Sequence, residues 1–186
     1  MNFSKNTLTL ILGLTFIVAK GQYEIIPAEG YTPQIGTMVD MLEEIKNRIE
    51  EETLELDSVK TDYLFDDQAN SIGQLIMHLV ANELYYQSET LEIRSWTEEE
   101  INLFSRASDL ADESKNQLKG KPAKYYLDLW DQVRKKTLEG LKTKDDIWFS
   151  EAIEEGLNNH YVWFHVMEHS VGHLGQIVVV KKRLPK

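Results

Sequence analysis

The sequence contains no cysteine. That absence excludes disulfides, a thiolate nucleophile and thiolate metal ligands, so any metal must be held by imidazole nitrogen and oxygen. It also excludes a lipidated cysteine behind a leader. Proline is scarce: Pro27, Pro33, Pro122 and Pro185 are the only four, and all lie between or beyond the periodic apolar segments. A proline inside a helix removes a hydrogen bond and clashes with the preceding turn, so this placement favours helices. Positive charge is also in short supply. A formal net charge of −11 repels a phosphate backbone and argues against a nucleic-acid partner. The basic group Lys181, Lys182 and Arg183 falls at the end of the last predicted helix, where cations complement the helix dipole.

Apolar runs long enough to cross a bilayer are missing as well. Residues 1–21 read MNFSKNTLTLILGLTFIVAKG, with Lys5 as a short positive region and an apolar stretch from Thr7 to Ala19. That stretch is too short to span comfortably. Ala19 and Gly21 place small residues at −3 and −1 for cleavage before Gln22, the pattern of a secretory signal peptide. The expectation is an exported protein, periplasmic or extracellular, with no membrane span after cleavage and one domain over 22–186. Cleavage removes two lysines and no acid, taking the net charge from −11 to −13.

What remains is ordinary for a globular domain, with 42% hydrophobic and 27% charged residues, enough for a substantial core. Residues 22–33 read as an extended lead-in. From about 34 to 56, Met38, Leu42, Ile45 and Ile49 recur at spacings of 4, 3 and 4, which predicts an amphipathic helix. Ser71, with Gln74 three residues on, opens a second helix to about Thr90. It is apolar on nearly every side, as expected of a helix packed against two neighbours. A polar connection, 92–121, follows, with a short helix around 98–107. A third long helix is predicted over about 123–141, using Tyr126, Leu129, Trp130 and Val133. A fourth runs over about 157–183. Four amphipathic segments without a convincing alternating strand predict an all-α helix bundle. The long second connection argues against a simple succession of hairpins.

The five histidines are the chemical signal. His160, His165, His169 and His173 all fall on the last predicted helix. At about 100° per residue, with His165 at 0°, the apolar stripe runs from roughly 60° at Val162 and Val180 to roughly 120° at Ile177. His169 and His173 fall inside or beside that stripe, His165 at its edge and His160 far from it. Two imidazoles at i, i+4 rise about 6 Å along one face and can reach one ion. Burying both costs free energy unless both find partners. A divalent metal satisfies both at once, and neutral imidazole is its donor form. A third ligand must come from another helix, and His78 is the only histidine elsewhere. Gln74 and Asn82 lie within about 40° of His78, one turn either side. Together with His165 and Gln176 they are candidates to orient a ligand or touch a substrate.

Two segments resemble the DinB/YfiT-like superfamily. Ser71–Tyr86 reads SIGQLIMHLVANELYY, and Phe164–Ile177 reads FHVMEHSVGHLGQI with His169, His173, Gly175 and Gln176 as the matching positions. The resemblance implies an up-up-down-down type of four-helix bundle, often a homodimer, with one divalent metal on His78, His169 and His173. Zinc or nickel suits such a donor set best, and manganese, iron or cobalt is also compatible. Three protein ligands leave coordination positions open, the mark of a catalytic metal. The expected activity is therefore that of a metal-dependent hydrolase or transferase acting on a small molecule. The alternative is a non-catalytic metal- or ligand-binding module. A third reading takes His165, Glu168 and His169 as an HxxEH metalloprotease motif. Against it, Glu168 lies near −60° on the wheel, off the apolar stripe. Gly172 and Gly175 each cost about 1 kcal/mol against alanine within a helix, which calls for a close helix approach or for space beside the metal.

Overall fold

The computed structural model describes residues 24–93, 96–108, 110 and 118–185. The proposed leader lies outside them. The described residues are mostly helical. In chain order they form α1 (Pro33–Thr53), α2 (Ser58–Thr61), α3 (Ile72–Thr90), α4 (Glu98–Ser105), α5 (Ala123–Leu141), α6 (Asp146–Ser150), β1 (Ala152–Glu154), β2 (Leu157–Asn158) and α7 (Asn159–Lys181).

The local signals explain most of these boundaries. Pro33 is the first residue of α1, where its missing N–H is no loss and its fixed φ suits a helix. Met38, Leu42 and Ile49 are all buried along that helix. Ser71 caps α3. Its Oγ accepts the Gln74 backbone N–H, and Gln74 Oε1 accepts the Ser71 N–H at 2.9 Å. Thr97 and Glu100 close the same reciprocal box on α4. Asn158 Oδ1 accepts from Tyr161 N at the start of α7. Replacing Ser71 by alanine is expected to cost about 1 kcal/mol, read as a lower urea midpoint at unchanged slope. The sequence offered no hint of the antiparallel β1–β2 pair. Its strands are three and two residues long, β1 is wholly exposed, and Gly156 turns between them at φ +82°.

The four long helices touch in a ring: α1 on α7, α7 on α3, α3 on α5 and α5 on α1. Contacts fix their directions. Glu52 and Lys181 pair at 2.8 Å near the ends of α1 and α7, and Ile35 and Trp163 share one cluster near their starts, so these helices run together. Tyr126 abuts Gly73 near the starts of α5 and α3, while Gln87 Nε2 donates to Val133 O and Thr137 Oγ1 farther along, so this pair also runs together. Arg134 meets Glu43, and Tyr31 just before α1 donates to Leu138 O, so α5 opposes α1. In chain order the directions are up, down, down, up. This corrects the up-up-down-down order implied by the resemblance. The physical reason is chain length. The connection 91–122 can return along the whole of α3, about 28 Å at 1.5 Å per residue, whereas the links before α3 and after α5 reverse direction.

α3 therefore packs against both α5 and α7, as its all-round apolarity predicted. Ile72, Leu75, Ile76, Met77, Leu79 and Val80 are all buried in the larger core cluster. No helix among the described residues is long and apolar enough to cross a membrane.

Candidate metal centre

His78 lies in the second turn of α3, and His169 and His173 lie one turn apart in the middle of α7. Because α3 opposes α7, these three positions meet. His78 Nε2 is 2.9 Å from His169 Nε2, and His169 Nε2 is 3.1 Å from His173 Nε2. The ring centroids of the three are 4.5–5.0 Å apart. Each ring offers one nitrogen to a group whose members all lie within 4.8 Å of one another.

The outer nitrogens determine what the inner ones can do. His78 Nδ1 lies 2.9 Å from the Ala107 carbonyl oxygen. A carbonyl only accepts, so Nδ1 carries the proton and a neutral His78 presents a bare lone pair at Nε2. His173 Nδ1 lies 2.9 Å from Gln176 Oε1, which fixes the same tautomer. His169 Nε2 faces both bare nitrogens and can donate to only one of them. Without a cation, one contact sets lone pair against lone pair. A cation relieves this, and imidazole ligands on a tetrahedral zinc lie roughly 3.3 Å apart at Zn–N distances of about 2.0–2.1 Å. The donor set thus fits a divalent ion.

Electrostatics favour the same form. Burial, with His173, His78 and His165 nearby, pushes His169 down to about 4. Burial likewise lowers His173, with His78 adding to the shift and the Gln176 hydrogen bond opposing it. At neutral pH both rings are uncharged, the form that ligates.

The other sequence candidates separate cleanly. Gln176 holds His173. Gln74 is buried and its Oε1 serves the α3 cap, so that oxygen does not reach the histidines. Asn82 is half-buried on α3 and makes no hydrogen bond to them. His165 stands at the edge, its ring 5.5 Å from that of His169, with Nδ1 3.3 Å from Glu168 Oε2. It does not join the three-histidine group. Glu168 is exposed, with its carboxylate beside His165, and it does not join the three-histidine group. His160 stacks on Phe149 at 4.3 Å and stays exposed. Sequence reasoning missed the Ala107 carbonyl, which no side-chain letter could reveal. Nothing lies within 4 Å of a Cβ added at Gly172 or Gly175, so of the two explanations for these glycines, open space holds and close helix approach does not.

A cleft of about 410 Å³ lies between α7 and the segment 65–70 that leads into α3, with Leu75 of α3 at its side, and Gln176 lines it. The family model for mycothiol-S-transferase matches residues 37–184, a span that includes all three histidines and, apart from the first four residues of α1, the four long helices. No curated protein matches the chain. The chain belongs to the mycothiol-S-transferase family, within the DinB/YfiT-like superfamily.

Proposed function

We propose that the protein is an exported transferase that moves a group between a thiol and a small electrophile at a divalent ion held by His78, His169 and His173. The ring of long helices is then a four-helix bundle whose α3–α7 seam carries the reactive centre. The observation that carries this reading is the convergence of three imidazole nitrogens, two of them with their tautomers fixed from behind by Ala107 and Gln176. An ion bound there would act as a Lewis acid and keep a thiol or water ligand deprotonated at neutral pH. The chain supplies the rest. The fixed imidazole tautomers hold the ligand set in one geometry. The family match supports a thiol as the co-substrate.

A second reading keeps the site and replaces the thiol by water, making a hydrolase. The leader-like residues 1–21 favour it, since an exported protein meets little cytosolic thiol. A homodimer belongs to the proposal as well, with Tyr161, Phe164 and Val171 forming an exposed apolar stripe on α7. Nucleic acid has no place in it, given the net charge.

The test uses zinc- or nickel-loaded mature protein with 1-chloro-2,4-dinitrobenzene and a small thiol, beside 4-nitrophenyl acetate in water. Metal-dependent release of chloride only with thiol is the expected result. Metal-dependent ester cleavage without thiol would favour the hydrolase. Full metal loading with neither reaction would make the site a binding module.

A further inference from the structure

The cleft between α7 and the segment 65–70 is open, and two features mark it as a ligand site. Phe65, Leu75, Val179 and Val180 wall it, with the Gln68 and Asn70 amides among them, and Gly172 and Gly175 add no side chain to its α7 side. Inside a helix each of those glycines sacrifices about 1 kcal/mol of helix propensity. No neighbouring atom requires that sacrifice, because an added Cβ would meet nothing within 4 Å at either position. Both glycines are exposed and border the cleft. The second feature is Gln176. Its Oε1 accepts from His173 Nδ1, which pins the amide plane and leaves the Nε2 hydrogens as donors on a residue that lines the cleft.

We infer that this cleft binds a compact apolar molecule, of the size of a substituted benzene, that carries a carbonyl-type oxygen to accept from Gln176 Nε2. A volume of about 410 Å³ lies at the small end of ligand sites. Most of the lining is apolar, which suits an apolar body, and the pinned Gln176 amide offers a donor to an acceptor oxygen. Gln176 then touches the ligand with one amide atom and His173 with the other, so the cleft is seated against the metal centre. Its role as the electrophile's seat rests on the proposed transferase reading, whereas the binding itself does not.

The experiment is a titration of isotopically labelled mature protein, chelator-stripped and zinc-loaded, with acetophenone and with ethylbenzene, followed by amide chemical shifts. Both molecules are expected to perturb amides around 65–75 and 172–180. Gln176→Leu is expected to weaken acetophenone about three- to tenfold, the range of one hydrogen bond, while leaving ethylbenzene unchanged or tighter. Gly175→Leu, whose side chain enters the open space, is expected to weaken both at least about tenfold at a melting temperature no lower than the parent's, since leucine is the better helix former. Shifts confined to another face would overturn the inference. So would equal losses for the two ligands in Gln176→Leu, or full binding by Gly175→Leu. Zinc binding without acetophenone binding sinks the cleft and spares the metal centre, and acetophenone binding without zinc binding does the reverse.

Discussion

Glu83→Ala is expected to cost about 3–5 kcal/mol of stability, a large share of the roughly 5–15 kcal/mol that holds a domain folded. Glu83 is fully buried on α3, facing α5. Its carboxylate accepts from Trp130 Nε1 at 2.7 Å, from Arg134 Nε and Nη2 at 2.7 and 2.8 Å, and from Thr137 Oγ1 at 2.5 Å. Arg134, also buried, reaches on to Glu43 of α1 at 2.7 Å. The triad Glu83, Arg134 and Glu43 therefore ties three of the four long helices. Taking Glu83 away leaves a guanidinium in the core with only the half-exposed Glu43 for company. Glu43→Ala is the internal control. It removes the exposed partner of the same cation and should cost no more than about 1 kcal/mol. Replacing the pair together, Glu83→Leu with Arg134→Met, is expected to recover most of the loss, because the desolvation of both charges disappears with them.

The pH dependence of that stability has a definite sign. Burial alone would raise the Glu83 pKa. The Arg134 charge, with hydrogen bonds from Arg134, Thr137 and Trp130, outweighs burial and holds the carboxyl below its ordinary range. A carboxyl with a depressed folded pKa adds stability above its unfolded pKa and loses it as pH falls through the folded one. Urea midpoints of the parent should therefore drop in acid more steeply than those of Glu83→Leu/Arg134→Met. Parallel acid limbs, or a Glu83→Ala cost no larger than that of Glu43→Ala, would show that the pair does not carry the load assigned to it.

Glu83 also marks the limit of what the sequence could say. Periodicity located α1, α3, α5 and α7 to within a few residues, because each buries a stripe or a whole surface and that stripe repeats along the chain. Ser71 and Gln74 announced the start of α3 because a capping box is local. His169 and His173 announced themselves because two imidazoles in an apolar stripe need a common partner, and His78 followed as the remaining histidine off that helix. Glu83, by contrast, reads as one acid in an otherwise apolar segment. Its partners lie 47 to 54 residues away and share no spacing rule with it. Gln74 shows two local readings in competition. The wheel put it beside His78, the cap claimed it, and its Oε1 serves the cap. The order of helix directions followed from the length of one connection, which the chain displays but whose path no periodicity encodes.

Removing His169 is expected to lower zinc affinity more than about 100-fold. An outer partner of a ligand is worth about 10–100-fold, and His169 is the ligand whose Nε2 stands within 3.1 Å of both others. Isothermal titration of chelator-stripped protein should give about one zinc per chain for the parent. His169→Ala should show no saturable binding in the same range, while His160→Ala should bind like the parent. Gln176→Leu is the informative intermediate. It keeps all three donors but frees the His173 ring to rotate and to take the wrong tautomer, so a loss of about 10–100-fold is expected with the stoichiometry unchanged. His165→Ala separates the two readings of α7. If the metal sits on His78, His169 and His173, losing His165 leaves affinity within about twofold, because its Nδ1 faces Glu168 and its ring belongs to the rim. If His165→Ala instead removed the zinc while His78→Ala kept it, the ligands would be those of the HxxEH motif, and the convergence of α3 on α7 would have to be explained as packing alone.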